Sequence, residues 1–193
     1  MGRKSNAPQR REQIIWALYD CLVEKGSEKV TVKEIAARAG LPPGVIHYYF
    51  TSKDDIVLKL AEAIVDKYST MFDERLAGAV SIEQRIESAI DFIVDILIFN
   101  PPLNRVFYNL IHMTFERKAL GNVVKKMFQD YRERLARVFK EAGAGRESKV
   151  LGAALVAITE GFSLQLMIDP RAFKRADVRR SIAQAFSDRL AIV

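Results

Sequence analysis

The sequence predicts an all-α protein, and three observations carry that prediction. Apolar residues recur at spacings of three and four in almost every segment, which places them on one face of a helix. No run alternates apolar and polar residues between Asn-Gly or Asp-Gly turns, as hairpin strands would. The 193 residues are 49% hydrophobic, which is enough for a sizeable core. We expect a three-helix head that contains a helix-turn-helix, over residues 1–50, joined through a long helix to a larger helical domain over residues 51–193.

The helix-turn-helix is predicted from local signals at about 32–50. Thr31 and Glu34 form a capping box, in which the hydroxyl and the carboxylate each accept a backbone N–H, so a helix begins at the next residue. Gly40 ends that helix because glycine tolerates left-handed dihedral angles. Pro43 opens the second helix, since its missing N–H costs nothing in the first turn.

The remaining helices are predicted from caps and breaks. Ser52 and Ser81 are candidate N-cap residues, and glycines and prolines separate the later segments. The helix that starts at Ser52 would belong to both the head and the rest, so we expect a rigid boundary. These helices are predicted at about 9–25, 52–76, 81–99, 103–114, 118–142, 146–168 and 175–191.

The chain is basic, with a net charge of +6. This charge favours an anionic partner but does not distinguish nucleic acid from lipid headgroups. It is densest in the first eleven residues, where Arg3, Lys4, Arg10 and Arg11 have no acidic neighbour. We therefore expect a mobile basic arm at the N-terminus.

Cys21 is the only cysteine, which excludes an internal disulfide and a cysteine-based zinc site. We interpret it as a small buried residue. No stretch approaches about 18 uninterrupted apolar residues, and the start lacks a hydrophobic signal core. We expect a soluble, cytoplasmic protein without a membrane partner.

The second helix of the predicted helix-turn-helix carries polar and aromatic side chains on its outer face. Val45, His47, Tyr48 and Tyr49 lie there, and Lys53 follows shortly after. Such side chains suit the major groove, and tyrosine and lysine tips also reach phosphates. The geometry alone leaves DNA binding and other roles of a helix pair equally open.

The same segment resembles the signature of the TetR family of transcriptional regulators. The resemblance fixes about ten positions without a gap, and they stand here as Ile35-Ala36, Ala39-Gly40, Gly44-Val45-Ile46, Tyr48-Tyr49-Phe50 and Ser52-Lys53. It implies a dimeric, ligand-responsive DNA-binding regulator, more often a repressor than an activator. The partner it implies is a palindromic double-stranded operator, which places the protein at the nucleoid.

The resemblance also assigns roles to single residues. It implies that Ile46 and Phe50 are core residues. Residues facing bases would be Lys33, Pro43, Gly44 and Val45, and those gripping phosphates or base edges would be His47, Tyr48, Tyr49 and Lys53. Two positions depart from the family pattern, Val45 for threonine and His47 for tyrosine. Because Val45 can only touch a thymine methyl, the preferred operator is expected to differ from that of relatives.

The later part of the chain resembles the family only loosely. Residues 160–170, which end at Asp169-Pro170, resemble the C-terminal domain of BetI-like members. Most aromatic and methionine residues of the middle helices are expected to be core, but by analogy to the family a subset lines a cavity for a mainly apolar effector. The candidates are Phe92, Ile96, Phe99, Phe107, Ile111, Met113, Phe115, Phe128 and Tyr131.

The last two predicted helices each carry an apolar stripe at helical spacing. Two such helices from each subunit would close a four-helix dimer interface. The stripes contain Leu151, Leu155, Ile158, Phe162 and Leu166 in one helix, and Val178, Ile182, Phe186 and Leu190 in the other.

No catalytic residue, metal site or cofactor is predicted. His47 has no second metal ligand beside it. Glu116 lies one turn after His112, but we interpret His112 as a histidine whose hydrogen bonds are satisfied within the fold, or as a pocket-lining one. Two alternatives stay open: a helical small-molecule-binding protein or enzyme without operator binding, and a membrane-surface protein that uses the basic arm.

Overall fold

The computed structural model describes residues 6–27 and 29–187, and the described part contains helices and no strand. The predicted all-α class is therefore confirmed. The α-helices are α1 (Ala7–Lys25), α2 (Val32–Arg38), α3 (Pro43–Tyr49), α4 (Lys53–Ala77), α5 (Ile82–Phe92), α6 (Pro101–Thr114), α7 (Lys118–Glu141), α8 (Ser148–Ile168) and α9 (Arg175–Ser187).

Prolines stand inside the first turn of three helices, and two of these helices start earlier than predicted. Helix α1 begins at Ala7 with Pro8 in its first turn, and α6 begins at Pro101, so both start two residues before the predicted positions. The first N–H groups of a helix have no partner within it, which is why proline is tolerated there. In α6 the Asn100 side chain caps the turn, because its Oδ1 accepts the Leu103 N–H at 3.2 Å.

The predicted helix at 81–99 has two parts. Ser81 caps α5 as expected, its Oγ accepting the Gln84 N–H at 3.3 Å. From Ile93–Ile98 the chain continues as a π-helix, for which the sequence gives no signal.

The chain divides into two compact units, which are described separately. The N-terminal unit comprises residues 1–65 and 105–124, and the C-terminal unit comprises residues 66–104 and 125–193. The predicted head at 1–50 lies within the first of these. Helices α4, α6 and α7 each contribute residues to both units.

The core of the N-terminal unit is built from the apolar faces of its short helices. Helix α1 packs on α2 and α3, and one face of α1 is completely buried. The fully buried large side chains of this unit are Ile14, Leu18, Leu22, Ile35, Ile46, Ile56, Leu60 and Leu120.

The core of the C-terminal unit joins α5, the π-helix, α7, α8 and α9. The rings of Phe72 and Phe92 meet edge to face, with their centroids 5.3 Å apart. Helices α7 and α8 approach closely at Gly152, where a Cβ atom would lie 2.8 Å from the Arg132 carbonyl oxygen. Glycine at this position therefore sets the distance between the two helices.

Helix α8 is unusually apolar. The segment Gly145–Ile168 has a mean hydropathy of 1.6 and is long and apolar enough to cross a membrane by length and composition. Core helices of globular proteins pass the same test, and one side of α8 is buried in its own unit through Leu151, Leu155, Val156 and Leu166. The other side remains exposed and apolar.

Candidate nucleic-acid interface and effector-binding region

Helix α2, the first helix of the helix-turn-helix, begins with the predicted capping box. The Glu34 N–H donates to Thr31 Oγ1 at 3.2 Å, and the Thr31 N–H donates to Glu34 Oε2 at 2.8 Å. The other carboxylate oxygen accepts from Lys25 Nζ at 2.7 Å. These hydrogen bonds, that from Lys25 foremost, lower the pKa of Glu34 to about 2. The start of α2 is thus tied to the end of α1.

The turn between α2 and α3 depends on Gly40. Its φ of 63° lies in the left-handed region, and the Leu41 N–H then donates back to the Ala36 carbonyl at 2.9 Å. From α1, Gln13 Nε2 donates to the Ala39 carbonyl at 2.6 Å. The direction in which α3 leaves the turn is therefore fixed from two sides.

Helix α3 has one buried and one exposed side. Ile46 and Phe50 are buried, as predicted for core residues. The Arg11 guanidinium lies over the Phe50 ring, 5.2 Å from its centroid. On the opposite side Tyr48 is 81% exposed, and its ring meets Tyr49 edge to face at 4.9 Å.

Most predicted DNA-contacting residues lie on the surface of the N-terminal unit. Lys33 is exposed on α2, Val45 and Tyr49 are half-buried, and the exposed residues of α3 include Pro43, Gly44, His47 and Tyr48. Of the predicted basic arm, Arg10 and Arg11 belong to α1, whereas Arg3 and Lys4 lie outside the described residues.

Lys53 has a different environment from the one expected of a free phosphate contact. Its Nζ donates to the Ser27 carbonyl at 3.2 Å. Partial burial, together with the nearby charge of Arg117, lowers the pKa of its ammonium group. The side chain thus ties the start of α4 to the loop that precedes α2.

Two further polar contacts hold this loop and the start of α4, and neither has a local signal in the sequence. The Ser27 N–H donates to Asn109 Oδ1 at 2.8 Å, and Arg117 Nε donates to Asp54 Oδ1 at 2.9 Å. The partners are 82 and 63 positions apart, so no spacing rule could have paired them.

The predicted effector residues have unequal surroundings. In the C-terminal unit Phe92 is buried, and Ile96, Phe99, Phe128 and Tyr131 pack partly buried against the core. In the N-terminal unit Met113 is buried, and Phe107 and Ile111 are half-buried. Phe115, the residue after α6, is 84% exposed, so its predicted place in an enclosed effector cavity is wrong.

The Tyr131 hydroxyl is an unusual group inside the C-terminal unit. It is buried without a hydrogen bond to the described residues, and the Thr159 hydroxyl near it donates instead to the Leu155 carbonyl at 2.8 Å. Burial raises the pKa of this phenol well above its ordinary value. The group therefore remains a protonated donor.

The predicted dimer stripes mostly face inward. Leu155, Leu166, Ile182 and Phe186 are buried in the core of their own chain, and Ile158 and Phe162 are partly buried against it. Leu190 lies outside the described residues. Buried side chains cannot also cover a second subunit, so of these residues only the partly buried Ile158 and Phe162 could still do so. Because α8 is apolar all round, its periodicity did not distinguish the two sides.

Metal-ligating side chains do not cluster in the described part of the chain. Within the described residues, no group of three or more His, Cys, Asp or Glu side chains could hold a metal ion. His47 and His112 are both exposed, so His112 does not line a pocket. Cys21 is buried, as interpreted from the sequence, and burial raises the pKa of its thiol.

Family models match both parts of the chain. Residues 14–60 match the bacterial regulatory proteins of the tetR family, and residues 82–191 match the C-terminal domain of BetI-type transcriptional repressors. The chain belongs to the TetR family. It is a DNA-binding transcriptional regulator, and ligand-responsive repression is typical of its family.

Curated relatives of this TetR-family chain include two differently named proteins. It is 28% identical to the nucleoid occlusion factor SlmA of Photobacterium profundum over 83% of each chain. It is 22% identical to the nicotine-responsive transcriptional repressor HdnoR of Paenarthrobacter nicotinovorans over 95% of this chain and 96% of that one.

Solved structures show the same fold. A TetR transcription regulator from Haloarcula marismortui has a TM-score of 0.84 at 17% identity, covering 95% of this chain and 98% of that one. A protein from Saccharomonospora viridis, solved in complex with choline, has a TM-score of 0.83 at 16% identity with the same coverage.

Proposed function

We propose that this TetR-family regulator represses transcription as a homodimer on a palindromic operator, and that a small, largely apolar effector releases it. The observation that carries this proposal is that α3 has one buried side and one exposed side. Ile46 and Phe50 anchor one side in the core, whereas Tyr48, His47 and Gly44 are displayed on the surface. A helix held in this way presents its outer side to the major groove.

Within this proposal Lys33, Pro43, Gly44 and Val45 face bases. The phosphate or base-edge contacts come from His47, Tyr48, Tyr49 and Lys53. To reach a phosphate, the Lys53 ammonium exchanges its hydrogen bond with the neutral Ser27 carbonyl for one with an anionic phosphate oxygen.

The test of operator binding is to sequence DNA selected by the purified protein. We expect a palindrome, because a two-fold symmetric dimer reads two half-sites. Val45→Thr should change the preference at one position of each half-site by about 1 kcal/mol. The matched control is Val80→Thr, since Val80 is 89% exposed and lies outside the helix-turn-helix. Selection of a non-symmetric site, or an unchanged preference in Val45→Thr, would contradict the proposal.

The phosphate contacts are tested by salt dependence. Lys53→Gln should reduce the slope of log K against log salt by about one, because Lys53 is assigned to a phosphate, whereas Lys33→Gln, at a residue assigned to bases, should alter the sequence preference. Lys53→Gln should weaken binding to all sequences alike. Lys125→Gln, an exposed lysine on α7, serves as the control of equal charge.

The homodimer is proposed to form through the outward face of α8. Val150, Ala157, Leu164 and Ile168 recur at helical spacing on this exposed face. No part of the described chain covers them, and a contiguous apolar face marks an interaction surface. Leu164→Glu should yield monomers by light scattering, and Val80→Glu should not. A dimer that persists in Leu164→Glu would overturn this assignment.

The effector is proposed to contact Tyr131 together with Phe99 and Phe128. The enclosed Tyr131 hydroxyl supports an effector that is mainly apolar and carries one hydrogen-bond acceptor. Ligand binding is proposed to shift α4 and so change the spacing of the two α3 helices, with a coupling of about 1–3 kcal/mol.

The probes for this site are choline, nicotine and a library of apolar compounds, since one solved neighbour is in complex with choline and one relative is named nicotine-responsive. A true effector should raise thermal stability and weaken DNA binding, and Tyr131→Phe should reduce its affinity by about tenfold. Tyr108→Phe, on α6, controls for loss of a phenol. If no compound changes both stability and DNA binding, the sensing role is refuted.

A second candidate function is nucleoid occlusion. Relatives that cover 83–98% of this chain carry the name nucleoid occlusion factor. In either case we place the protein in the cytoplasm at the nucleoid, without an enzymatic role. A deletion strain in which septa form across nucleoids would favour occlusion, whereas derepression of a neighbouring gene alone would favour local repression.

A further inference from the structure

Two carboxylates follow Lys53 directly in the first turn of α4. They belong to Asp54 and Asp55, and the positive end of the helix dipole favours acidic side chains at such positions. A carboxylate next to a lysine that binds a phosphate also repels that phosphate, since both are anions. The start of α4 therefore combines one side chain suited to DNA with two side chains that oppose it.

The two carboxylates have different partners. Asp55 Oδ2 accepts the Thr51 N–H at 3.0 Å and the Thr51 hydroxyl at 3.2 Å, so it serves the turn that precedes α4. Asp54 faces Arg117, whose Nε donates to Asp54 Oδ1 at 2.9 Å. Arg117 lies in the turn between α6 and α7, 63 positions away along the chain. The fold thus brings a positive charge to Asp54 from outside the helix-turn-helix.

Arg117 acts on Lys53 as well as on Asp54. Partial burial foremost, and then the charge of Arg117, lower the pKa of the Lys53 ammonium group. The charges of Asp54 and Glu34 act on that pKa in the opposite direction. Such effects require the charged groups to lie near one another. The Lys53 ammonium, the Asp54 carboxylate and the Arg117 guanidinium therefore form one electrostatic cluster.

Glu116 is a second carboxylate near Arg117. Its Oε2 is 3.7 Å from Arg117 Nη1, and its side chain is 80% exposed. The Asp54 side chain is less exposed and approaches more closely, and solvent screens it less. Asp54 is thus the stronger partner of Arg117, and Glu116 offers a matched comparison.

We propose that Arg117 is a positioning residue for operator binding: it neutralises Asp54, so that the Lys53 ammonium meets a DNA phosphate without repulsion from the adjacent carboxylate. Arg117 acts through Asp54 and needs no contact of its own with DNA. The inference rests on the phosphate contact of Lys53 proposed above. It adds a residue from the α6–α7 turn to the groups that determine DNA affinity.

The experiment measures binding of the full-length protein to two fluorescein-labelled duplexes, the selected operator and a scrambled sequence, by fluorescence anisotropy over a salt series. Arg117→Gln should weaken binding to both by about fivefold and reduce the slope of log K against log salt. Arg117→Lys keeps the charge and should retain most of the affinity. The matched control is Lys118→Gln, which removes the same charge from the next, exposed position and should leave the slope unchanged.

Asp54→Asn separates neutralisation from a purely structural ion pair. It breaks the same pair but removes the repelling charge, so DNA should bind at least as tightly as it binds the wild type. The double variant Arg117→Gln/Asp54→Asn should regain the wild-type affinity and salt slope. Arg117→Gln/Glu116→Gln has the same net charge but retains Asp54, so its affinity should stay low. Thermal unfolding of each variant reports whether the protein is folded.

The inference is overturned if Asp54→Asn weakens DNA binding as much as Arg117→Gln does, because the pair would then be structural only. Equal rescue by Glu116→Gln and Asp54→Asn would mean that net charge alone matters. A further loss of affinity when Arg117→Gln is added to Lys53→Gln would mean that Arg117 holds a phosphate itself. If Lys53→Gln alone leaves the salt slope unchanged, the proposed phosphate contact fails and this inference fails with it. If Lys53→Gln reduces the slope and Arg117→Gln does not, only this inference fails.

Discussion

The polar contacts within the N-terminal unit and those within the C-terminal unit differ in how far apart along the chain their partners are. In the N-terminal unit the contacts that start helices join near neighbours, as Thr31 with Glu34 and Thr51 with Asp55. In the C-terminal unit the ion pairs join distant helices, and Asp91 and Arg179 are 88 positions apart. Local contacts can be read from residue spacing, whereas distant ones cannot. The difference explains why the head could be predicted from a sequence motif and the C-terminal unit could not.

The comparison predicts that close helix packing, more than ion pairs, holds the C-terminal unit. Gly152→Leu should therefore have the largest effect, a loss of about 3 kcal/mol in the free energy of unfolding, because any Cβ would meet the α7 backbone. Gly121→Ala is the control, since its nearest neighbours would be 3.8 Å away or more. That change should be neutral or stabilise by about 0.5 kcal/mol. Denaturant unfolding measures both, and equal effects of the two changes would contradict this account.

The N-terminal unit has its own long-range contact, which tests whether the head depends on local signals alone. Asn109→Leu removes the acceptor of the Ser27 N–H and should cost about 1.5 kcal/mol. Asn109→Asp keeps an acceptor and should stay within about 0.5 kcal/mol of the wild type. Equal stability of both variants in urea unfolding would show that α6 does not hold this loop.

The local capping box is expected to contribute slightly less to the free energy of unfolding than the Asn109 contact. Thr31→Ala should cost about 1 kcal/mol, and Thr31→Ser, which keeps the hydroxyl, should restore most of it. Denaturant unfolding of the three proteins measures the difference. A serine variant as unstable as the alanine variant would argue against the hydroxyl as the stabilising group.

The same box predicts a pH dependence. The pKa of Glu34 is about 2 against an ordinary value of 4.5, so the carboxylate favours the folded state when ionised. Its contribution is complete above about pH 4.5 and is lost as the pH falls towards 2. The difference in Tm between wild type and Glu34→Gln should therefore shrink over that range. A constant difference would refute the assignment.

The long-range ion pairs of the C-terminal unit should show the smallest effect. Asp91 and Arg179 meet at 2.6 Å but are partly exposed, so solvent screens them. A double-mutant cycle with Asp91→Asn and Arg179→Gln should give a coupling of about 0.5 kcal/mol. A coupling above about 2 kcal/mol would mean that ion pairs and not packing hold this unit.

The sequence alone determined the helical class, the start of α2 and the glycine turn. Each of these depends on residues within a few positions of one another, where hydrogen-bond geometry and helical periodicity act directly. The tertiary structure decided the rest: which side of α8 faces its own core, and that Lys53 and Asn109 both hold Ser27. These facts depend on which distant helices come together. Neither an apolar helix nor a polar side chain carries a local sequence signal for its distant partner.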